Sequence, residues 1–361
     1  MTAKIGMRLL LVVLPLVVGV QVFSDVDDTL SCPSKTMRVF GAGVDKSFCR
    51  NLVSGSVIYP GIACLAVAFE KALNDSAPVR GLNILSARPQ EAVNAGLMEI
   101  KADDPIGGAL QRCGGGLDGK FYGTIQDVLT TGFSEEKRFL AFSKSKVTDL
   151  LGGVRKNETV VFMGDNGQGD LHAAVEMYKS LGAIFSAAFI HRVNTAPALR
   201  VTEFGGAPIY FHYTAPGAGL VAYCAKFITR SSLQSIYSSA KGSDQNAACL
   251  NKCTPYCLGD DIDNNKCADS SCQADPQSGF PPGCNYFLKD MKAAETVLNQ
   301  TADFKPDCDS ILKESRVQFP ADWVAAFSAG ASRGSFWSFK PGSFVGCFFM
   351  CSILKIAFGT T

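Results

Sequence analysis

The stretch VFSDVDDTL at residues 22–30 and the stretch VVFMGDNGQGD at residues 160–170 share one pattern. In each, an apolar run ends on a pair of aspartates: Asp25 with Asp27, and Asp165 with Asp170. Short apolar runs predict buried strands, and open α/β sheets hold their ligands at the carboxyl ends of their strands. Four carboxylates at that edge predict a site for a hard divalent cation and a phosphoryl group.

Strand and helix patterns alternate from residue 20 to about residue 240. Buried strands are predicted at 20–24, 82–86, 159–163 and 183–190. Helical spacing of apolar residues follows Pro60, begins again near Glu135 and returns after Asp170. This alternation predicts an α/β fold, a doubly wound parallel sheet with helices on both faces, in a domain spanning 20–240.

The amino-acid composition limits the kinds of molecule that the chain is expected to bind. The chain has 361 residues, 47% of them apolar and 19% charged, which suits a sizeable core. Its 34 basic and 33 acidic residues leave a net charge of +1, with no basic block. Nucleic acid is therefore not an expected partner, because nucleic-acid binding needs a clustered positive charge.

The N-terminus resembles a secretory signal. Lys4 and Arg8 precede the apolar run LLLVVLPLVVGV, and Val17 and Gly19 suit a signal-peptidase site. The run is short for a membrane span, which takes about 20 apolar residues. We therefore expect a cleaved signal peptide at 1–19 and a secreted or secretory-pathway protein; an extension of the first strand is the alternative.

Fourteen cysteines agree with secretion, and ten of them follow residue 220. They predict a cysteine-rich, disulfide-bonded module in the region 241–361, with zinc binding as the rival interpretation and the connectivity open. Cys32 is expected to pair with Cys49, or else to be a free thiol. The apolar tail at 344–358 fits either a GPI signal or a terminal element packed on the core.

The segment Asp25-Val26-Asp27-Asp28-Thr29 has the D-x-D-x-T form of the haloacid dehalogenase superfamily. Further motifs of that superfamily follow in order: Ser86 after a strand, Lys144 or Lys146 on a helix, Gly164-Asp165 after a strand, and Asp170. More narrowly, residues 21–240 resemble the phosphatidate phosphatase-type branch, found in a yeast actin-patch protein. The quoted matches are Pro60-Gly61, Ser143-Lys144, Gly164 to Asp170, and Ile190-His191-Arg192-Val193. Spacing to Asp165 favours Lys144 over Lys146.

This resemblance implies a Mg²⁺-dependent phosphatase that forms an aspartyl-phosphate, with phosphatidate or a related lipid phosphate as substrate. It also implies roles for individual residues. Asp25 would be the nucleophile, Asp27 the general acid and base, and Lys144 the fixed positive charge. Ser86 and Arg88 would bind phosphate. The implied metal ligands are Asp25, Asp27, Asp165 and Asp170.

Several alternatives stay open at this stage. The protein could be a secreted binding or effector protein that keeps the fold without turnover, or a phosphatase for a non-lipid substrate. Arg88 could be an ordinary surface arginine, and otherwise could bind a second phosphate or an acidic headgroup. The segments between motifs hold only a small cap, so a phosphorylated small molecule or a lipid headgroup at a membrane surface could reach the site. The oligomeric state is open.

Overall fold

The computed structural model describes residues 19–31, 58–94, 99–124, 135–167, 169–192, 206–243, 283–300 and 306–315. Their strands form one six-stranded, all-parallel sheet. The strands are β1 (Gly19–Ser24), β2 (Leu82–Pro89), β3 (Leu117–Gly123), β4 (Glu158–Asp165), β5 (Phe185–His191) and β6 (Ile209–His212). Their order across the sheet is β3-β2-β1-β4-β5-β6. The α/β, parallel-sheet prediction is therefore confirmed.

Strand order places β1 at the centre of the sheet, between β2 and β4. After β1 the chain adds β2 and then β3 on one side of β1, and it then crosses to the other side with β4. Ser24 of β1 pairs with Met163 of β4, so Asp25 and Asp165 follow at neighbouring strand ends. This reversal is the switch point at which open α/β sheets leave a crevice for ligands.

Helices cover both faces of the sheet. They are α1 (Ile62–Lys71), α2 (Gln90–Asn94), α3 (Pro105–Arg112), α4 (Glu135–Gly153), α5 (Asp170–Leu181), α6 (Ala215–Cys224), α7 (Arg230–Lys241), α8 (Gly283–Asn299) and α9 (Cys308–Ser315). Successive strand residues point to opposite faces, so Val22 packs with α1, α6 and α7, whereas Phe23 packs with α4 and α5. Both cores are dominated by large aliphatic and aromatic side chains.

Helices α8 and α9 come from the region that the sequence assigns to a separate cysteine-rich module. Phe287, Met291 and Ala294 of α8 instead join the core that contains Val22, where α8 packs on α6 and α7. Asp290 accepts a hydrogen bond from Thr214 Oγ1 at 2.6 Å, at the start of α6. For these two helices, the change of composition near residue 241 does not mark a separate core. The cysteine-rich stretch before them lies outside the described residues.

The described residues form two disulfides, and neither was predicted as a pair. Cys64–Cys113 joins α1 to the end of α3, and Cys224–Cys308 joins α6 to α9. The first lies entirely within 20–240, so disulfide bonding is not confined to the C-terminal region. Disulfides fit an extracellular or secretory protein. The expected Cys32–Cys49 pair lies outside the described residues.

The described helices include none that is both long and apolar enough to cross a bilayer. Residues 1–18 and the apolar tail at 344–358 lie outside the described part of the chain. The predictions of a signal peptide and of a C-terminal anchor therefore stay predictions.

Candidate metal centre

Three carboxylates meet at the carboxyl edge of the sheet. Asp25 follows β1, Asp165 ends β4, and Asp170 begins α5. An oxygen from each lies within 4.8 Å of an oxygen from each of the others. The three residues are 3%, 0% and 1% exposed, respectively. Such a cluster of buried oxygen donors could hold a metal ion.

Backbone geometry sets the positions of these carboxylates. The Asp25 N–H donates to Met163 O at 2.9 Å, which extends the β1–β4 ladder as far as the aspartate. Asp170 folds back over the end of β4, and its Oδ2 accepts from the Asp165 N–H at 3.3 Å. A Cβ on Gly164 would stand 2.7 Å from the Asp170 Cβ, so glycine is required for this approach.

Lys146, and not Lys144, faces the cluster, which corrects the preference derived from motif spacing. The Lys146 Nζ lies 2.9 Å from Asp25 Oδ1 and also donates to Asp170 Oδ1. Lys144 is exposed on the other side of α4. Helical phase explains the difference. Lys146 lies four residues after the buried Phe142 and four before the buried Leu150, whereas Lys144 is out of phase with both.

Burial and charge perturb the titration of the cluster. Burial raises the pKa of Asp25 to about 7; Lys146 opposes this rise, while Asp170 and Asp27 add to it. Burial, followed by repulsion from Asp170 and Asp28, raises the pKa of Asp165 well above its usual range. Burial alone would lower the pKa of Lys146, but Asp170 and Asp25 more than offset it, so the lysine stays charged.

Unsatisfied oxygens provide the test of whether a cation fits. Within the described residues, neither Asp25 Oδ2 nor Asp165 Oδ2 has a hydrogen-bond partner, although both are buried. Asp28, which is also fully buried, adds a fourth carboxylate nearby. Lys146 supplies one buried positive charge against these four groups. Buried carboxylates are stable only when paired, protonated or bound to metal, so a hard divalent cation fits this site.

Asp28 is a site residue that the sequence reasoning did not single out. Its position directly after Asp27 was the available signal. Its backbone is left-handed, with φ of 67°, and its carbonyl oxygen lies 2.6 Å from His191 Nδ1. The other ring nitrogen of His191 lies 3.0 Å from Tyr213 O. His191 therefore braces the turn that carries Asp27.

Asp27 lies apart from the three-carboxylate cluster, which differs from its predicted place among the metal ligands. Its Oδ1 instead accepts a hydrogen bond from Arg88 Nη2 at 2.9 Å. The Arg88 side chain is only 12% exposed, so the alternative of an ordinary surface arginine is wrong. Ser86 is buried within β2, and its Oγ accepts from the Arg88 N–H at 3.3 Å. Ser86, Arg88 and Asp27 thus form a rim beside the metal cluster.

No family model, no curated protein and no solved structure matches this chain. The class of site is accordingly defined by the geometry alone, as a buried acidic centre at the switch point of a parallel α/β sheet. The resemblance to the haloacid dehalogenase superfamily stays a prediction drawn from the motifs.

Proposed function

We propose that this chain is a Mg²⁺-dependent phosphatase that hydrolyses a phosphomonoester through an aspartyl-phosphate on Asp25. The observation that carries this proposal is the buried cluster of Asp25, Asp165 and Asp170 with Lys146 bound to it. Partly exposed Asp27 lies two residues beyond the nucleophile. The order of the motifs along the chain supports the same chemistry.

Two displacements at phosphorus would complete the reaction. The Asp25 carboxylate attacks phosphorus, the ester P–O bond breaks, and Asp27 gives its proton to the leaving alcohol. Water then attacks the phosphorus of the aspartyl-phosphate and loses a proton to Asp27. The bond between phosphorus and the Asp25 oxygen breaks, which releases phosphate. Lys146 would stabilise the negative charge that the entering phosphoryl group brings.

Asp25, Asp165 and Asp170 would hold the Mg²⁺. Lys146 binds the Oδ1 atoms of Asp25 and Asp170, so the orphaned Oδ2 atoms of Asp25 and Asp165 are the ligands best available to a cation. When bound, Mg²⁺ would supply positive charge that reduces the repulsion between the carboxylate nucleophile and the phosphate dianion. Carboxylate oxygens are the ligands that Mg²⁺ prefers.

The substrate class rests on the motif resemblance and on access. The resemblance implies phosphatidate or a related lipid phosphate. The Asp27 side chain, 27% exposed, gives the site an opening to solvent. The disulfides support action in an oxidising compartment, so we propose that the enzyme acts outside the cell or in the secretory pathway.

Phosphate release by the oxidised protein tests this proposal. The assay compares Mg²⁺ with EDTA on p-nitrophenyl phosphate, phosphatidate, lysophosphatidate and a phosphopeptide. We expect Asp25→Asn to reduce the rate about 10⁴-fold or more, as loss of a nucleophile does elsewhere. Asp103→Asn, at an exposed position before α3, is the matched control and should keep the wild-type rate.

Two outcomes would contradict the proposal. One is a wild-type rate in Asp25→Asn. The other is the absence of Mg²⁺-dependent release from every substrate by folded protein. If that protein still bound Mg²⁺, a secreted binding protein that kept the fold without turnover would replace the enzyme as the favoured function.

A further inference from the structure

Arg88 forms an ion pair with Asp27, the residue that transfers a proton in the proposed reaction. Arg88 Nη2 lies 2.9 Å from Asp27 Oδ1, and the two side chains are 12% and 27% exposed. In this arrangement the Asp27 carboxylate is directed to a guanidinium and not to the metal cluster. Asp27 must leave Arg88 in order to reach a leaving-group oxygen.

The exposed side of Asp27 lets another anion reach this pair. An acid that takes the place of Asp27 keeps the guanidinium paired, so the exchange leaves no uncompensated charge on Arg88, which is only 12% exposed. Lys146 differs, because it is buried between two buried carboxylates and cannot exchange partners cheaply. Arginine also binds carboxylate and phosphate groups through two parallel hydrogen bonds, which favours an incoming planar or phosphoryl anion.

The position of Arg88 indicates which part of a substrate it would contact. On the proposed mechanism, Asp27 donates to the oxygen of the leaving alcohol. Asp27 pairs with Arg88 at 2.9 Å before it turns to that oxygen, so the guanidinium lies within reach of the Asp27 side chain, on the leaving-group side of the site. A substituent of the leaving alcohol close to the scissile ester would therefore face Arg88.

We propose that Arg88 is a specificity-determining residue that selects phosphomonoesters whose leaving alcohol carries a second acidic group. This inference rests on the proposed phosphatase function and narrows its substrate class, since it favours related phosphomonoesters with an acidic leaving alcohol over phosphatidate itself. The acidic group binds Arg88 and releases Asp27 toward the leaving-group oxygen. A carboxylate or a phosphodiester beside the scissile ester meets this requirement. Phosphatidate does not, because its leaving alcohol, diacylglycerol, is neutral.

A matched pair of small substrates tests the inference. Both 2-phosphoglycerate and glycerol 2-phosphate are phosphate esters of a secondary alcohol, and the first carries a carboxylate where the second carries a hydroxymethyl group. We expect wild-type kcat/KM to favour 2-phosphoglycerate by about 10-fold or more, the effect of one charged hydrogen bond. Arg88→Gln should reduce this ratio to about 1, and Arg88→Lys should retain part of it.

The ratio of the two kcat/KM values separates substrate recognition from a general loss of structure, because a misfolded variant loses activity toward both substrates together. Arg112→Gln, at an exposed arginine at the end of α3, should keep the wild-type ratio. A lipid arm repeats the comparison in mixed micelles with phosphatidylglycerophosphate, whose leaving group holds a phosphodiester, against phosphatidate. A preference for phosphatidylglycerophosphate over phosphatidate would show that the acidic group belongs to a lipid headgroup. A preference seen only for 2-phosphoglycerate over glycerol 2-phosphate would show that it belongs to a soluble acid.

The outcomes separate this inference from the proposed function. Turnover of both substrates with equal kcat/KM, or a preference that survives in Arg88→Gln, would overturn the role of Arg88 and leave the phosphatase intact. No turnover of either substrate or of p-nitrophenyl phosphate, by folded protein with Mg²⁺, would overturn the phosphatase and the role of Arg88 with it.

Discussion

Lys146 balances part of the negative charge that buried carboxylates bring to the sheet edge. It is 2% exposed and contacts Asp25 and Asp170, while Lys144, two residues earlier, faces solvent. The two lysines therefore contribute differently to the free energy of unfolding, although their side chains are chemically identical. Removing one partner of a buried ion pair leaves an uncompensated charge, whereas a solvated lysine is replaced at little cost.

The two lysines accordingly form a matched test. We expect Lys146→Gln to lower the free energy of unfolding by about 3–5 kcal/mol at pH 8 without Mg²⁺, because carboxylate repulsion is then unopposed. Lys144→Gln should change it by no more than about 0.5 kcal/mol. Urea unfolding followed by circular dichroism measures both values. Equal effects of the two substitutions would show that the wrong lysine has been placed in the cluster.

At the scale of elements, cross-links tie helices on one face of the sheet. Cys64–Cys113 closes a loop of 49 residues and holds α1 against the end of α3. Cys224–Cys308 spans 84 residues and fixes α9 to α6. Both bonds restrict the unfolded chain over long loops, which is the condition under which disulfides stabilise most in the chain-entropy account.

Reduction should therefore weaken the sheet-bearing part of the chain as well as the region after residue 241. We expect the double variant Cys64→Ala with Cys113→Ala to lose about 2–4 kcal/mol of unfolding free energy in urea. In limited proteolysis, this variant should gain cleavage sites between α1 and β3. If this variant were cleaved only beyond residue 241, the Cys64–Cys113 bond would not stabilise the sheet-bearing part of the chain.

At the scale of the whole molecule, the acidic centre links stability to pH and metal. In the folded, metal-free protein the pKa of Asp25 is about 7 and that of Asp165 is well above its usual range, against 3.8 for the unfolded chain. The stability that Asp25 contributes is complete below pH 3.8 and is lost as pH rises through about 7, and that of Asp165 is lost as pH rises through its own raised pKa. Burial lowers the pKa of His172, His191 and His212, so the unfolded chain binds protons on these residues that the folded protein does not, and their contribution to stability rises with pH through about 6.5.

Between pH 6.5 and pH 8 the histidine and carboxyl contributions change in opposite directions, so the test compares the wild type with Asp25→Asn, in which the histidines are the same. In EDTA, we expect the free energy of unfolding of the wild type to fall over this range by about 0.8 kcal/mol relative to that of Asp25→Asn, because a carboxyl with a pKa of about 7 loses its proton there. Mg²⁺ should restore more stability at pH 8 than at pH 6.5, because it binds the ionised carboxylates and displaces protons. Asp25→Asn should lose this fall with pH and weaken the response to Mg²⁺. An unchanged profile in this variant would contradict the metal centre.

Much of the architecture could be predicted from local patterns. Apolar runs at 20–24 and 159–163 lie in β1 and β4, and the aspartates after them do converge. The predicted strand at 82–86 continues to Pro89, so Arg88 stands within β2. The errors concern the orientation or the partner of a side chain. Motif spacing favoured Lys144 where helical phase selects Lys146, and Asp27 binds Arg88 where metal ligation was expected.

Local patterns are enough to predict the class of fold and the residue types at the edge of the sheet, because strand and helix periods are local and strand ends in a parallel sheet share one edge. Which charges meet depends on the tertiary structure. Arg88 and Asp27 are 61 residues apart, and Lys146 and Asp170 are 24 apart, so their pairing depends on how β2, α4 and α5 pack on β1. The packing of α8 on the core that contains Val22, and the Cys64–Cys113 bond, likewise depend on how distant segments pack. Contacts between distant segments follow from three-dimensional packing, whereas local patterns such as helical phase indicate only which face of an element a side chain lies on.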